Sequence, residues 1–106
     1  MPRGSSFQEG MVVKFELGQL VWTRRVNDKV AEDEEFAKFV DVSLKRHIRG
    51  DWGDVKDKAE NELSLREGFR LVSVYEKEGL PKIMKKIWII TEADRSATTI
   101  LFPEEY

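Results

Sequence analysis

The 106-residue chain is 41% hydrophobic and 36% charged, which suits one soluble globular domain with a single core and excludes wholesale disorder. Its formal charge of -2 gives no bulk attraction to nucleic acid or to anionic lipid, so any such binding has to be local. With no cysteine and one histidine it has no disulfide or thiolate chemistry and too few ligands for structural zinc, and no metal, cofactor or membrane contact is expected.

In chain order, residues 1–10 contain Pro2-Arg3-Gly4-Ser5, which resembles a protease-site scar. They are expected to be a vector-derived or disordered leader, with Met11 as the natural start and 11–106 as a single domain whose default location is the cytoplasm. Val12-Val13-Lys14-Phe15 and Gln19-Leu20-Val21-Trp22-Thr23, split by Gly18, suggest a bent strand or two strand fragments. Asn27 or Asp28 is placed to cap a helix whose first turns hold the acidic cluster Glu32 to Glu35. From there Phe36, Phe39, Val40, Leu44, His47 and Ile48 recur at three- and four-residue steps, predicting one helix from about Asp28 to Arg49 that ends at Gly50.

Gly50-Asp51-Trp52-Gly53-Asp54 has the composition of a compact loop. A second helix is predicted from Asp54 or Asp57 through Leu63 towards Gly68. Arg70 to Tyr75, Ile83 to Thr91 and Ala97 to Phe102 then predict three strands, the last two joined across Asp94-Arg95-Ser96. Residues 87 to 90 are apolar without alternation, as in a strand covered on both faces. The fold class is therefore α+β, an antiparallel β-meander of three or more strands with two helices packed on one face. Its expected core is Phe36, Phe39, Val40, Leu44, Leu71, Ile87, Ile89, Ile100 and Leu101.

Polar residues gather at two loops. His47 is the one side chain that titrates near neutrality, which suits proton transfer, but its place on the apolar stripe favours a core histidine bonded to a neighbour. Asp51 and Asp54 flank Trp52-Gly53 at a spacing open to a hard cation, although turn and cap roles account for both. Glu92, Asp94 and Arg95 with Thr98-Thr99 make the other cluster. Together His47, Arg70, Glu92 and Arg95 could serve a metal-independent ribonuclease-like reaction: a base, an acid and cations for the phosphorane. That requires the two loops to meet, with His47 near a carboxylate and its pKa raised. Arg46, Asp51, Trp52, Asp54, Asp94, Thr98 and Thr99 are the residues expected to form a binding surface instead. Lysines and arginines are scattered among slightly more numerous acids, so a protein partner is expected ahead of nucleic acid.

The segments Gly18-Gln19-Leu20-Val21, Arg46-His47-Ile48-Arg49-Gly50-Asp51-Trp52-Gly53, Arg70-Leu71-Val72-Ser73-Val74-Tyr75 and Trp88 through Tyr106 carry a resemblance. They are similar to the Gly-Gln-x-Val, Arg-His-x-x-Gly-Asp-Trp-Gly, Arg-Leu-x-Ser-x-Tyr and Trp-x-Ile-Thr-Glu-x-Asp-Arg motifs of a family of small "plasmid-related" proteins from bacterial plasmids, phages and integrated elements. The restriction-modification label used for some of that family finds no support here, since no glycine-rich cofactor loop or methyltransferase-type motif is present. The resemblance implies a mobile-element setting. With it, the expected role is an accessory protein that binds a host or element-encoded macromolecule.

Overall fold

Four strands form one sheet in the spatial order β1 (Gln19–Trp22), β4 (Ala97–Leu101), β3 (Lys86–Thr91) and β2 (Leu71–Glu76). The structure, a computed structural model, describes residues 13–106, so the readings of residues 1–10, Met11 and Val12 lie outside the described residues. Strands β2, β3 and β4 make the expected meander, each antiparallel to the next. The sheet is nevertheless mixed, because β1 adds parallel to β4 with Gln19 beside Ala97 and Trp22 beside Ile100. A parallel neighbour needs a long crossover, and the helical segment between β1 and β2 together with the meander supplies it.

That segment holds three helices, α1 (Arg24–Glu32), α2 (Glu34–Ile48) and α3 (Lys58–Glu67), where two were expected. The single helix predicted from Asp28 to Arg49 is broken at Asp33, whose extended backbone (φ -133°) ends α1 while its carboxylate accepts from Phe36 N–H to start α2. Thr23, and neither Asn27 nor Asp28, caps α1 by accepting from Val26 N–H. One member of the acidic cluster thus serves as a cap, and Glu34 and Glu35 fill the first turn of α2, where the dipole favours carboxylates. Asp57 caps α3, and Gly68 ends it in the left-handed region.

Strand alternation divides the sheet into two unlike faces. Leu71, Ser73 and Tyr75, with Ile87, Ile89 and Thr91 and with Thr98 and Ile100, face α1 and α2, and all of them are fully buried. Phe36, Phe39, Val40 and Leu44 from α2 and Val26 from α1 close over Tyr75, Ile87, Ile89, Ile100 and Phe102. Every member of the predicted core is buried, Leu101 on the sheet's other side. Replacing Leu44, only 4% exposed, by Ala should cost about 2–5 kcal/mol in denaturant unfolding. A loss under about half a kcal/mol would mean that the α2 stripe is not held against the sheet.

The two sheet edges are treated differently. Along β2 the Asn61 amide of α3 donates to Val72 C=O and its carbonyl accepts from Val72 N–H. Asp54 N–H donates to Val74 C=O, and Val74 N–H donates to Trp52 C=O. That edge is therefore covered. Along β1 the main-chain bonds run inward: Gln19 N–H to Ser96 C=O and Thr23 N–H to Ile100 C=O. In a parallel ladder this directs the polar groups of Leu20 and Trp22 away from the sheet. The end of β1 is tied to the C-terminal turn, since Thr23 donates to Glu105 and Arg25 pairs with Glu104.

Candidate functional site

The segment Arg46 to Gly53 is built by the end of α2 and the chain that leaves it along β2. Arg46 grips Asp51 through two hydrogen bonds of 2.8 and 3.1 Å, and its guanidinium lies 4.9 Å from the centre of the Tyr75 ring. Asp51 is held below the usual carboxylate range mainly by Arg46, with Gly53 N–H contributing. Tyr75 donates its hydroxyl proton to Asp51 C=O, and burial pushes its phenol well above the ordinary value. Gly53 sits at φ 70° directly against β2, where Val74 C=O and the Tyr75 ring leave no space for a side chain. Trp52 is buried beside Phe15 and Leu71, and its Nε1–H donates to Glu62 of α3. The Arg-His-x-x-Gly-Asp-Trp-Gly segment is thus a clamp fastening α2 and α3 to the edge of β2.

His47 points the other way, into the sheet, and has no exposed surface. Its Nδ1 lies 2.6 Å from Ser73 Oγ and its Nε2 2.9 Å from Thr91 Oγ1, while Thr91 Oγ1 is 2.7 Å from Thr98 Oγ1. Thr98 Oγ1 is 2.7 Å from Leu17 C=O, which can only accept. That contact orders the whole chain. Thr98 gives its one proton to Leu17, so Thr91 donates to Thr98, His47 Nε2–H donates to Thr91, and Nδ1 is left to accept from Ser73. The result is a one-directional row of hydrogen bonds joining β2, α2, β3, β4 and the segment before β1. Among the described residues no buried side-chain polar atom lacks a partner.

Burial, with a smaller contribution from the positive charge of Arg95, lowers the His47 pKa from 6.5 to about 3. The expected raised value is therefore corrected: burial penalises imidazolium, and the ring bonds hydroxyls in place of a carboxylate. The end of α2 does share a rim with the β3–β4 turn, because His47 reaches Thr91 and Phe15 touches both the His47 ring and the Arg95 guanidinium. The Gly50 to Asp54 loop lies apart from that turn, along the outer edge of β2.

The four residues of the ribonuclease-like set do not line one cavity. His47 is enclosed under the sheet, whereas Arg70 bonds and stacks on Tyr106, which packs at 5.0 Å on Trp88 of the opposite face. Glu92 continues β3 with its side chain on Arg70's side by strand alternation. Arg95 holds a left-handed conformation (φ 61°), and its guanidinium donates to the carbonyls of Phe69, Glu92, Ala93 and Ser64. It fastens the turn to the end of α3.

The other expected binding residues are dispersed as well. Thr98 is buried in the hydrogen-bonded row, and Asp94 turns back onto Ser96, whose hydroxyl first and N–H second hold its carboxyl below the ordinary range. Asp54 is exposed beside β2, and Thr99 lies half-buried on the sheet face away from α1 and α2. Among the described residues no cluster of His, Asp and Glu side chains is placed to hold a metal ion, and no helix is long and apolar enough to cross a membrane.

Thr99 belongs to a surface that polar residues alone did not reveal. On the sheet face away from α1 and α2, the register sets Val72, Ile90, Thr99 and Val21 in one row across all the strands. Val74, Trp88 and Leu101 form a second row beside it. None of these residues joins either core cluster; Ile90 and Leu101 are buried, Val72, Val74, Trp88 and Thr99 are half-buried, with Tyr106 against Trp88, and Val21 is exposed. Glu76 and Lys86 bound the strip on one side. Arg70, Glu92 and Gln19 bound it on the other. The signal in the sequence was the unbroken apolar run 87–90 together with Val72 and Val74, which demand cover on both faces from a chain whose helices cover one. Comparison with family models, with curated proteins and with solved structures returns no match.

Proposed function

We propose that the protein is a binding module, an accessory protein of a mobile genetic element, that docks a protein partner on the apolar strip of its sheet. The observation that carries this reading is the pair of rows Val72-Ile90-Thr99-Val21 and Val74-Trp88-Leu101, apolar but for Thr99, partly open at Val72, Val74 and Trp88 and exposed at Val21, and rimmed by charged and polar residues. Contiguous apolar surface with a polar rim is characteristic of interaction sites, and a solvated sheet face would carry alternating polar residues. The rim mixes Arg70 and Lys86 with Glu76 and Glu92, so it lacks the positive stripe that a phosphate backbone requires and favours a protein. The mobile-element setting rests on the motif resemblance.

A photo-crosslinking residue placed at Val74 or Thr99 in cells carrying the element should yield one discrete protein adduct. The purified partner should then bind the chain, with Val74→Glu and Thr99→Glu each weakening it about tenfold or more, while Val42→Glu on α2 leaves affinity unchanged. Absence of any adduct at either position, or equal affinity for the Glu variants, would remove this reading.

A further inference from the structure

We infer that β1 is a self-association edge, through which two copies of the chain join their sheets into one antiparallel sheet about a two-fold axis. The β2 edge is covered by Asn61 and by Trp52 to Asp54, but among the described residues nothing bonds the outward groups of Leu20 and Trp22. Edge strands are normally guarded by lysine, proline, a bulge or a covering segment. The four residues Gln19-Leu20-Val21-Trp22 contain no lysine or proline, no bulge or covering segment guards them among the described residues, and Leu20, Val21 and Trp22 are 44%, 39% and 37% exposed.

The outward positions also select the occupant and the register. An antiparallel hydrogen-bonded pair requires both residues to direct N–H and C=O outward, so only Leu20 and Trp22 can be so paired. Setting Leu20 opposite Leu20 of the second copy would waste Trp22 against Gly18. Setting Leu20 opposite Trp22 of the second copy pairs the two large side chains on the helix side, at both symmetry-related places. It also places Val21 against Val21 in the close, non-hydrogen-bonded position. The row Val72-Ile90-Thr99-Val21 then runs unbroken through the axis into its symmetry mate. Charge agrees: Glu16 precedes the strand and Arg24 follows it, so antiparallel pairing brings ends of opposite sign together. A two-fold perpendicular to the sheet keeps both helical layers on one side and both apolar strips on the other.

The full chain, run by sedimentation equilibrium across a concentration series, should pass from its 12.4 kDa monomer mass to about twice that value. Leu20→Lys with Trp22→Lys sets lysines opposite each other and should raise the dissociation constant about tenfold or more. Because the chain has no cysteine, Val21→Cys provides a separate readout: mild oxidation should link it rapidly into a covalent dimer, whereas Val42→Cys on α2 should not link. A chain that stays monomeric at all concentrations overturns the inference. So does a dimer that the double lysine variant leaves intact, and so does Val21→Cys linking no faster than Val42→Cys; this last comparison stands even where the lysine variant fails to fold.

Discussion

Between about pH 6 and pH 5 the folded protein should lose stability at up to about 1.4 kcal/mol per pH unit, because the unfolded chain binds close to one more proton, on its histidine, than the native one. The group responsible is His47, whose folded pKa lies near 3 while its ordinary value is 6.5. A base with a depressed folded pKa adds stability that is fully present above its unfolded value and disappears as pH falls through the folded one. Integrated from pH 6.5 down to the folded value near 3, the effect is roughly 5 kcal/mol, a large part of the stability of a domain this size. His47 is the only histidine, so one imidazole signal followed by NMR reports the site directly. It should remain neutral down to about pH 4. His47→Gln should flatten the slope between about pH 6 and 5, an interval that lies above the ordinary carboxylate range. A midpoint near 6.5 in the folded protein would show that the ring is not enclosed.

Gly53→Ala should be among the most damaging single-methyl additions in the chain, costing more than about 3 kcal/mol and lowering the melting temperature by more than about 10 °C. The added Cβ would overlap Val74 C=O and lie 2.7 and 2.8 Å from two carbons of the Tyr75 ring, at a φ of 70° that side chains avoid. Neither neighbour can yield, since the carbonyl belongs to β2 and the ring fills the core. Gly79→Ala is the matched control: its φ is 96°, but nothing lies within 4 Å of the new atom, so only backbone strain of about 1–2 kcal/mol is expected. Equal melting temperatures for the two variants would show that the contact between Gly53 and β2 is not close-packed.

Much of the fold was legible because the signals were local. The α2 stripe, the Gly68 stop, the Asp57 cap and the three C-terminal strands all follow from period and capping chemistry within a few residues. The break at Asp33 was hidden because a carboxylate in an acidic run can serve either a cap or a dipole, and composition does not distinguish them. The parallel pairing of β1 with β4 joins segments far apart in sequence, and no local pattern encodes it. For the site, the apolar stripe of α2 carries His47 into the core, but Ser73, Thr91 and Thr98 carry no mark that they converge on it. Arg46, Asp51 and Arg95 looked functional because charged residues in loops often are, whereas here they bond one another or main-chain carbonyls.

The distance along the chain between β1 and β4 also dictates an order of assembly. Strands β2, β3 and β4 meet through short connections, so their pairing closes small loops and can form early. Among the described strands, the one made earliest has to wait for the one made latest. Until β4 emerges, Leu20, Val21 and Trp22 have no ladder to join, and the Thr98 hydroxyl that ends the buried row has not reached Leu17. Closure of the β1–β4 seam therefore completes the sheet and the hydrogen-bonded row in one late step. The same seam should open first under native conditions, giving β1 amides faster hydrogen exchange than those of β3.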